Sequence, residues 1–299
     1  TLSSPHGNQW NVVCADSSDG AITINTIAGD RLPSYLHYNW LSEGSSIATT
    51  RDIDNLPVGD YQLAVSDSFC YDTANFTLTA PDSIYISNRD ISNNLCYNDN
   101  TGRIELTVEG GAGPSTPYSF EWSHNPSLNS SIASSLTATT YSVSVFDSVG
   151  CEVRDTITLT QPDELQISDS TSDYNGFDVS CAFGSDGEIF VTRTGGVGEV
   201  NYLWQRNGTT LDNNDTISNL EAGEYTLATT DANSCVAYDT VILSQPEALQ
   251  ISNLALTDMV CATPGMATAT VSGGVLIDNS YDIYSWSSGE TSQTATNLT

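Results

Sequence analysis

The sequence predicts an all-β chain built as a tandem array of β-sandwich repeats. Four tryptophans stand 82 residues apart, at Trp40, Trp122, Trp204 and Trp286. Short segments that alternate apolar and polar residues recur along the chain, as in half-buried antiparallel strands, and helical periodicity is absent. The length of 299 residues exceeds what one domain usually holds. The 82-residue period therefore sets the organisation of the chain.

Each repeat carries the same markers in the same order. A first cysteine precedes each tryptophan, at Cys14, Cys96, Cys181 and Cys261. In the first three repeats the tryptophan is followed by a tyrosine, a second cysteine and a closing proline: Tyr61, Cys70 and Pro81; Tyr141, Cys151 and Pro162; Tyr225, Cys235 and Pro246. The predicted repeats are thus 1–81, 82–162, 163–246 and an incomplete 247–299.

Within a repeat the pattern predicts a sandwich of about seven short strands. In repeat 1, strands are expected from Ala21 to Ile27, around Trp40, and from Tyr61 to Val65. Clusters ending in Gly20, Gly102 and Gly187 are typical of turns. The tryptophans and the strand-opening tyrosines are expected in the core, the tyrosines as tyrosine corners: Trp40, Trp122, Trp204, Trp286, Tyr61, Tyr141 and Tyr225.

Composition excludes several function classes. All seven basic residues are Arg, against 37 Asp and Glu, for a net charge of -30. No lysine is present for Schiff-base chemistry or for phosphate binding. The charge disfavours nucleic acid, whose binding needs Lys and Arg on phosphates, and it disfavours anionic membranes. The three histidines lie out of register with the repeats, so no catalytic triad recurs, and we expect no enzyme.

The repeat resembles a known family. Repeat 3 shows the motif best: Cys181, Asp186-Gly187, Gly195-Gly196, Trp204, Asn219-Leu220, Gly223-x-Tyr225, Asp231, Cys235 and Gln245-Pro246. This string resembles the SprB-type repeat of Bacteroidota surface proteins. The resemblance implies immunoglobulin-like or PKD-like sandwiches in very long proteins, exported by type IX secretion. Such proteins serve as adhesive filaments, such as the adhesins of gliding bacteria or the grappling-hook appendages of predatory filaments.

The cysteines are expected to form disulfides, as in other exported chains. No zinc-ligand spacing occurs. The favoured pairing lies within each repeat, as Cys14–Cys70, Cys96–Cys151 and Cys181–Cys235, with Cys261 left without a partner. The alternative joins neighbouring repeats, as Cys14–Cys151 and Cys96–Cys235. It stays open because, in an immunoglobulin order, the two cysteine turns of one repeat lie at opposite ends of the sandwich.

Two further patterns have a structural and a functional interpretation. Aspartates cluster beside the cysteines, at Asp16, Asp19, Asp99 and Asp186 near the first and at Asp67, Asp147 and Asp231 near the second. Turn formation is the favoured role, and calcium is the one cofactor left open, although no EF-hand loop is present. Asp-Thr pairs at Thr73, Thr156 and Thr240 are either ordinary strand residues or, by family resemblance, O-glycosylation signals.

The sequence therefore predicts an internal segment of a long filament or adhesin, extracellular and at the cell surface. Its repeats would act as a stiff spacer and as a lateral assembly surface, with like chains as partners. One alternative is a set of carbohydrate- or surface-binding modules, with cell-surface glycans as partners. Another is the stalk of an exported hydrolase. Neither nucleic acid nor direct membrane insertion is expected.

Overall fold

The computed structural model describes residues 10–25, 36–67, 69–112, 118–259, 264–276, 281 and 283–298. These residues form 22 β-strands and no helix. By its contacts the chain divides into two units: residues 1–94 with 98–160, and residues 95–97 with 161–299. The first three predicted repeats each contain a buried core of their own. The exact repeat boundaries stay a prediction.

Repeat 1, in the first unit, forms two antiparallel sheets. Its strands are β1 (Gly20–Ile22), β2 (His37–Ser42), β3 (Ser45–Ala48), β4 (Ile53–Leu56), β5 (Gly59–Ser66) and β6 (Tyr71–Leu78). Strand β1 pairs with β4, and the second sheet has the order β3-β2-β5-β6. Trp40 of β2 and Ile22 of β1 are fully buried in one cluster, so the core draws on both sheets.

Repeat 2, also in the first unit, has the same plan. Its strands are β7 (Asp82–Ser92), β8 (Gly102–Gly111), β9 (Ser119–Trp122), β10 (Ile132–Leu136), β11 (Thr140–Phe146) and β12 (Glu152–Thr158). The sheets have the orders β10-β8-β7 and β12-β11-β9. Trp122 is buried against residues of both sheets, including Ile104 and Val143. Its strand β9 lies at the edge of its sheet.

The second unit holds repeats 3 and 4. Repeat 3 has the seven predicted strands: β13 (Gln166–Thr171), β14 (Gly187–Thr194), β15 (Asn201–Arg206), β16 (Thr209–Thr210), β17 (Thr216–Leu220), β18 (Gly223–Thr230) and β19 (Val236–Leu243). Its sheets are β13-β14-β17 and β16-β15-β18-β19. In repeat 4 the strands are β20 (Gln250–Thr257), β21 (Gly265–Ser272) and β22 (Thr294–Leu298), in one sheet.

The repeated aromatic residues have equivalent contacts. Trp40, Trp122 and Trp204 are at most 1% exposed. The hydroxyl of Tyr225 donates to the carbonyl oxygen of Glu221, four residues earlier, at 2.8 Å, and Tyr61 and Tyr141 do the same to Pro57 and Thr137. This is the geometry of a tyrosine corner.

Trp286 departs from the predicted core role. It is only half-buried and lies outside the strands, in a turn closed by a hydrogen bond from its amide to the carbonyl of Glu290. Among the described residues, repeat 4 offers a single sheet. Within this described part of repeat 4, no second sheet faces Trp286 to form an inter-sheet core.

Three glycines predicted in turns instead begin strands. Gly20, Gly102 and Gly187 are the first residues of β1, β8 and β14. A Cβ on Gly102 would lie 2.7 Å from the carbonyl oxygen of Leu136 and 2.7 Å from Leu159 Cδ1. The other two glycines face an equivalent leucine carbonyl and leucine methyl. Close approach of backbone and core, not a turn, therefore requires glycine here.

A residue with left-handed backbone precedes an inward leucine in each of these repeats. Asn55, Ser135 and Asn219 have φ values of 57°, 59° and 61°. Each lies where the pairing between two strands shifts register, as in a β-bulge. The shift lets the following leucine return to the core face, which explains the recurrent Asn-Leu pair.

Candidate functional site

The cysteines lie in two kinds of turn. The first-cysteine turns, at Cys14, Cys96 and Cys181, are anchored to the end of the last strand of their own repeat. The amide of the residue two positions earlier donates to a carbonyl just beyond that strand: Val12 to Thr79 at 3.0 Å, Asn94 to Thr160 at 3.0 Å, and Val179 to Ser244 at 3.0 Å. The three turns therefore occupy the same place in their repeats.

The second-cysteine turns, at Cys70, Cys151 and Cys235, connect the last two strands of each repeat. In each, an aspartate at the start of the turn accepts the cysteine amide on its carboxylate, at 2.8 Å from Asp67 and at 2.9 Å from Asp147 and Asp231. The aspartate amide in turn donates to the cysteine carbonyl at 3.0 Å in all three. These bonds hold the cysteine backbone in all three turns, although the turn from Asp67 to Cys70 is one residue shorter than the other two.

The predicted within-repeat disulfides are wrong. In repeat 1 the second-cysteine turn precedes β6, and the first-cysteine turn is bonded beyond its far end. Eight residues of strand separate them, about 26 Å at the usual rise per residue. A disulfide needs Cα atoms within about 7 Å, so Cys14–Cys70 cannot form, and Cys96–Cys151 and Cys181–Cys235 fail for the same reason.

The alternative pairing between repeats is the one that the structure forms. Cys14 is bonded to Cys151, and Cys96 to Cys235, each pair with a Cα–Cα distance of 5.6 Å. The sequence separations are 137 and 139 residues. In both, the first cysteine of one repeat joins the second cysteine of the next. The segment Leu95–Tyr97 is accordingly part of the second unit.

The surroundings of the two disulfides are also alike. Cys151 Sγ lies 3.3 Å from the carbonyl oxygen of Val13, and Cys235 Sγ lies 3.4 Å from that of Leu95, in each case the residue before the partner cysteine. In the second unit the Asn233 side-chain amide also donates to Leu95 O at 2.8 Å. The joined turns therefore share one geometry.

Three cysteines remain. Cys70 and Cys181 are free and exposed. Cys261 lies outside the described residues, and its lack of a partner stays a prediction. Sequence reasoning missed that large aromatic side chains flank the two free cysteines: Tyr71 is 82% exposed and Phe183 is 84% exposed. The sequence contained this signal, because the positions equivalent to Tyr71 are Glu152 and Val236, and those equivalent to Phe183 are Asp16 and Asn98.

The calcium candidates are spread over the cysteine turns, where most of them accept backbone amides. Asp147 and Asp231 are 7% and 3% exposed, and each accepts three backbone amides, including Val197 N at 2.8 Å for Asp231. Asp19, Asp67, Asp99 and Asp186 likewise accept local amides, and Asp16 is exposed. Within the described ranges no group of three His, Cys, Asp or Glu could hold a metal ion. Calcium binding stays a prediction without a site in this part of the chain.

The Asp-Thr pairs occupy one position in three repeats. Thr73, Thr156 and Thr240 are exposed and lie on β6, β12 and β19, each the edge strand of its sheet. The preceding aspartate accepts the threonine amide at 2.8 Å in every case. The hydroxyls are therefore accessible, and glycosylation there stays a prediction.

Comparison with known proteins supports the repeat assignment. The SprB repeat family model matches residues 88–127 and 177–209, each segment running from before a first cysteine to just past the tryptophan. No curated protein matches the chain. The matched segments support a SprB-type repeat protein.

Solved structures resemble the chain only distantly. Three domains of the outer capsid protein Hoc of bacteriophage RB49 are 12% identical, with a TM-score of 0.33, covering 79% of this chain and 96% of that one. The titin I-band fragment I67–I69 is 11% identical, with a TM-score of 0.32, covering 78% and 94%. Extracellular domains 3–5 of Drosophila OTK are 11% identical, with a TM-score of 0.28, covering 82% and 97%.

The disulfides bear on the environment in which such a chain works. Disulfides persist in oxidising, mostly extracellular, environments, and the described part of this chain contains two. No helix that is long and apolar enough to cross a membrane occurs within the described ranges. Chemically, the arrangement joins consecutive repeats by covalent bonds at fixed positions.

Proposed function

We propose that this chain is a load-bearing segment of an extracellular filament or adhesin of the SprB-repeat type. The observation that carries the proposal is the pair of cross-repeat disulfides, Cys14–Cys151 and Cys96–Cys235. A spacer between a cell and its target must resist extension, and repeat arrays gain reach with each repeat. Like chains at the cell surface are the proposed partners for lateral assembly, with cations offsetting the net charge of -30.

The two disulfides limit how far the chain can be pulled out. Between Cys14 and Cys235 lie 221 residues of backbone. With both disulfides closed, the shortest covalent path runs from Cys14 to Cys151, back along 55 residues to Cys96, and across to Cys235. At about 3.5 Å per extended residue, the reach falls from about 770 Å to about 190 Å. Even with every repeat unfolded, the segment stays short.

Single-molecule stretching tests this proposal. The chain is held by its two ends, and the length released on complete unfolding is compared between states. Removing one disulfide leaves a path of 82 residues in Cys151→Ser or 84 residues in Cys96→Ser, about 290 Å in either case. The released length is expected to be shortest for the oxidised chain, longer and about equal in the two single variants, and longest for the reduced chain. Equal lengths with and without reductant would refute the load-bearing role.

A second candidate function rests on a cleft in the second unit. The cleft has a volume of about 630 Å³ and lies beside the Cys96–Cys235 disulfide. Tyr97 and Tyr238 line it and are 43% and 80% exposed, together with the acidic residues Asp163 and Glu164. Aromatic faces beside carboxylates suit a sugar ligand, which supports the carbohydrate-binding alternative.

Glycan-array binding separates this alternative from the spacer role. Binding lost in Tyr238→Ala, and retained in Tyr71→Ala at an equally exposed tyrosine outside the cleft, would support a sugar site. Equal glycan binding by the two variants would exclude this cleft as the sugar-binding site.

A further inference from the structure

The two free cysteines lie in turns that share backbone hydrogen bonds with the joined ones. Cys70 has the aspartate clamp found at Cys151 and Cys235, with Asp67 accepting the cysteine amide at 2.8 Å. The carbonyl of Cys181 accepts the amide of Gly184 at 3.0 Å, as that of Cys14 accepts the amide of Ser17 at 3.0 Å. Both free cysteines therefore share backbone hydrogen bonds with bonded cysteines, although the turn from Asp67 to Cys70 is one residue shorter than the turns that hold Cys151 and Cys235.

The joined pairs follow one rule, which identifies the missing partners. A first cysteine bonds the second cysteine of the following repeat, in Cys14–Cys151 and again in Cys96–Cys235. By that rule Cys181 requires a second cysteine in repeat 4, and Cys70 requires a first cysteine in a repeat before repeat 1. The sequence contains neither of these residues.

A second, independent feature marks the same two places as contact surfaces. Phe69 and Tyr71 are 81% and 82% exposed on either side of Cys70, and Phe183 is 84% exposed two residues after Cys181. Exposed aromatic side chains of this size cost free energy in water and are typical of surfaces that a partner covers. None of the equivalent positions at the joined turns is aromatic. They hold Gly150 and Ser234 in place of Phe69, Glu152 and Val236 in place of Tyr71, and Asp16 and Asn98 in place of Phe183.

We propose that Cys70 and Cys181 are open ends of a continuous disulfide ladder, each made to bond the complementary cysteine turn of a further SprB-type repeat placed in series. This inference deepens the proposed function by naming the partner. Bond formation needs an oxidant, for which a low-molecular-weight disulfide suffices. One cysteine thiolate attacks that disulfide and releases one thiol. The second cysteine thiolate attacks the mixed disulfide, so the oxidant takes up two electrons and two protons.

Completing repeat 4 tests the proposal. Asn297-Leu298 aligns with Asn219-Leu220, so residues 222–246 of repeat 3 are appended to the full chain after Thr299. This adds a copy of β18, the second-cysteine turn and β19. The extended chain is oxidised with glutathione disulfide, alkylated and mapped without reduction. We expect Cys181 to be joined to the appended copy of Cys235 and its alkylation to fall from near complete to near zero.

Two controls accompany this measurement. An extension whose appended turn carries Cys235→Ser should leave Cys181 fully alkylated. The peptides containing Cys14–Cys151 and Cys96–Cys235 report that the extended chain has folded. In such folded chains, an appended cysteine that stays free, or that joins any cysteine other than Cys181, would overturn the proposal.

The remaining source of a partner is a second copy of the chain. If the unextended chain forms dimers through Cys70 and Cys181 in glutathione disulfide, the exposed cysteines serve association between copies, and the in-series ladder is refuted. Should the extension prevent folding, mapping of the native protein isolated in alkylating reagent decides, because alkylated Cys181 would refute the ladder. The stretching experiment depends only on the two existing disulfides. A negative result there would refute the load-bearing role and is therefore distinguishable from a negative result in the mapping experiment.

Discussion

At the scale of single residues, the aspartates of the second-cysteine turns are structural anchors. Asp231 is 3% exposed and its carboxylate accepts amides from Val197, Asn233 and Cys235. The sequence showed an aspartate three or four residues before each second cysteine, and two roles were open for it. The sequence pattern could not show the contact with Val197, whose amide is 34 residues away and reaches the Asp231 carboxylate only in the folded chain.

Asp231→Ala should destabilise repeat 3 by about 3 kcal/mol, because three amides in a largely buried site lose their acceptor. Calorimetry of the intact chain measures the shift of the transition that belongs to repeat 3. The matched control is Asp67→Ala, which removes the acceptor of two amides in an exposed turn and should cost about 1 kcal/mol. Equal shifts in the two variants would contradict the anchor role of Asp231.

Asp178 gives repeat 3 a defined response to acid. Burial raises its pKa, but hydrogen bonds from Ser244 and Thr171 outweigh burial, so the pKa lies below the ordinary value. A lowered folded-state pKa adds stability that is complete above the unfolded-state pKa, about 4, and is lost as the pH falls through the folded-state pKa. Asp178→Asn should therefore flatten the decline of the repeat 3 melting temperature below pH 4. A decline as steep as in the unmodified chain would contradict this.

At the scale of elements, the positions of the main strands were predictable from the sequence, and their interruptions were not. Period-two alternation located β5, β11 and β18, because that pattern reflects burial on one face of a strand. The glycines of β1, β8 and β14 were misassigned to turns, because their neighbours suggested turn chemistry. Their true constraint is a leucine carbonyl and methyl from distant segments, which no local pattern contains.

The left-handed position before the inward leucine allows a stabilising change. Ser135 has φ 59° where repeats 1 and 3 have Asn55 and Asn219. Asparagine adopts this conformation more readily than serine, so Ser135→Asn should stabilise repeat 2 by about 0.5 kcal/mol. The same change at Ser134, an exposed neighbour without positive φ, should give no gain. Thermal unfolding compares the two, and a gain at Ser134 alone would rule out the backbone explanation.

At the scale of the whole molecule, covalent connectivity is the property that sequence reasoning ranked wrongly. The cysteine positions and both pairings were visible, but the choice depended on which end of the sandwich each turn occupies. Hydrogen bonds such as Asn94 to Thr160 decide this, by fixing the first-cysteine turn beyond the last strand. Pairing rules need three-dimensional placement, whereas repeat number and strand content follow from periodicity.

Opening one disulfide should lower the thermal stability of the chain. Loops of 137 and 139 residues each restrict the unfolded chain by about 5 kcal/mol in the chain-entropy model. Cys14→Ser should therefore lower the melting temperature under oxidising conditions, and added reductant should lower it further. Cys70→Ser is the matched control, since Cys70 takes part in neither disulfide, and it should melt as the unmodified chain does. A matching drop in the control would contradict the entropic account.

The two disulfide loops overlap, from residue 14 to 151 and from residue 96 to 235. A protease that cuts the backbone once anywhere between Cys14 and Cys235 therefore produces two fragments that remain covalently attached. For a fibre outside the cell, exposed to the enzymes of its surroundings, a nick in any connecting loop of this span would leave both ends tethered. Separating the two ends would take three cuts, one in each interval between consecutive joined cysteines, or one cut together with reduction of every disulfide that spans it.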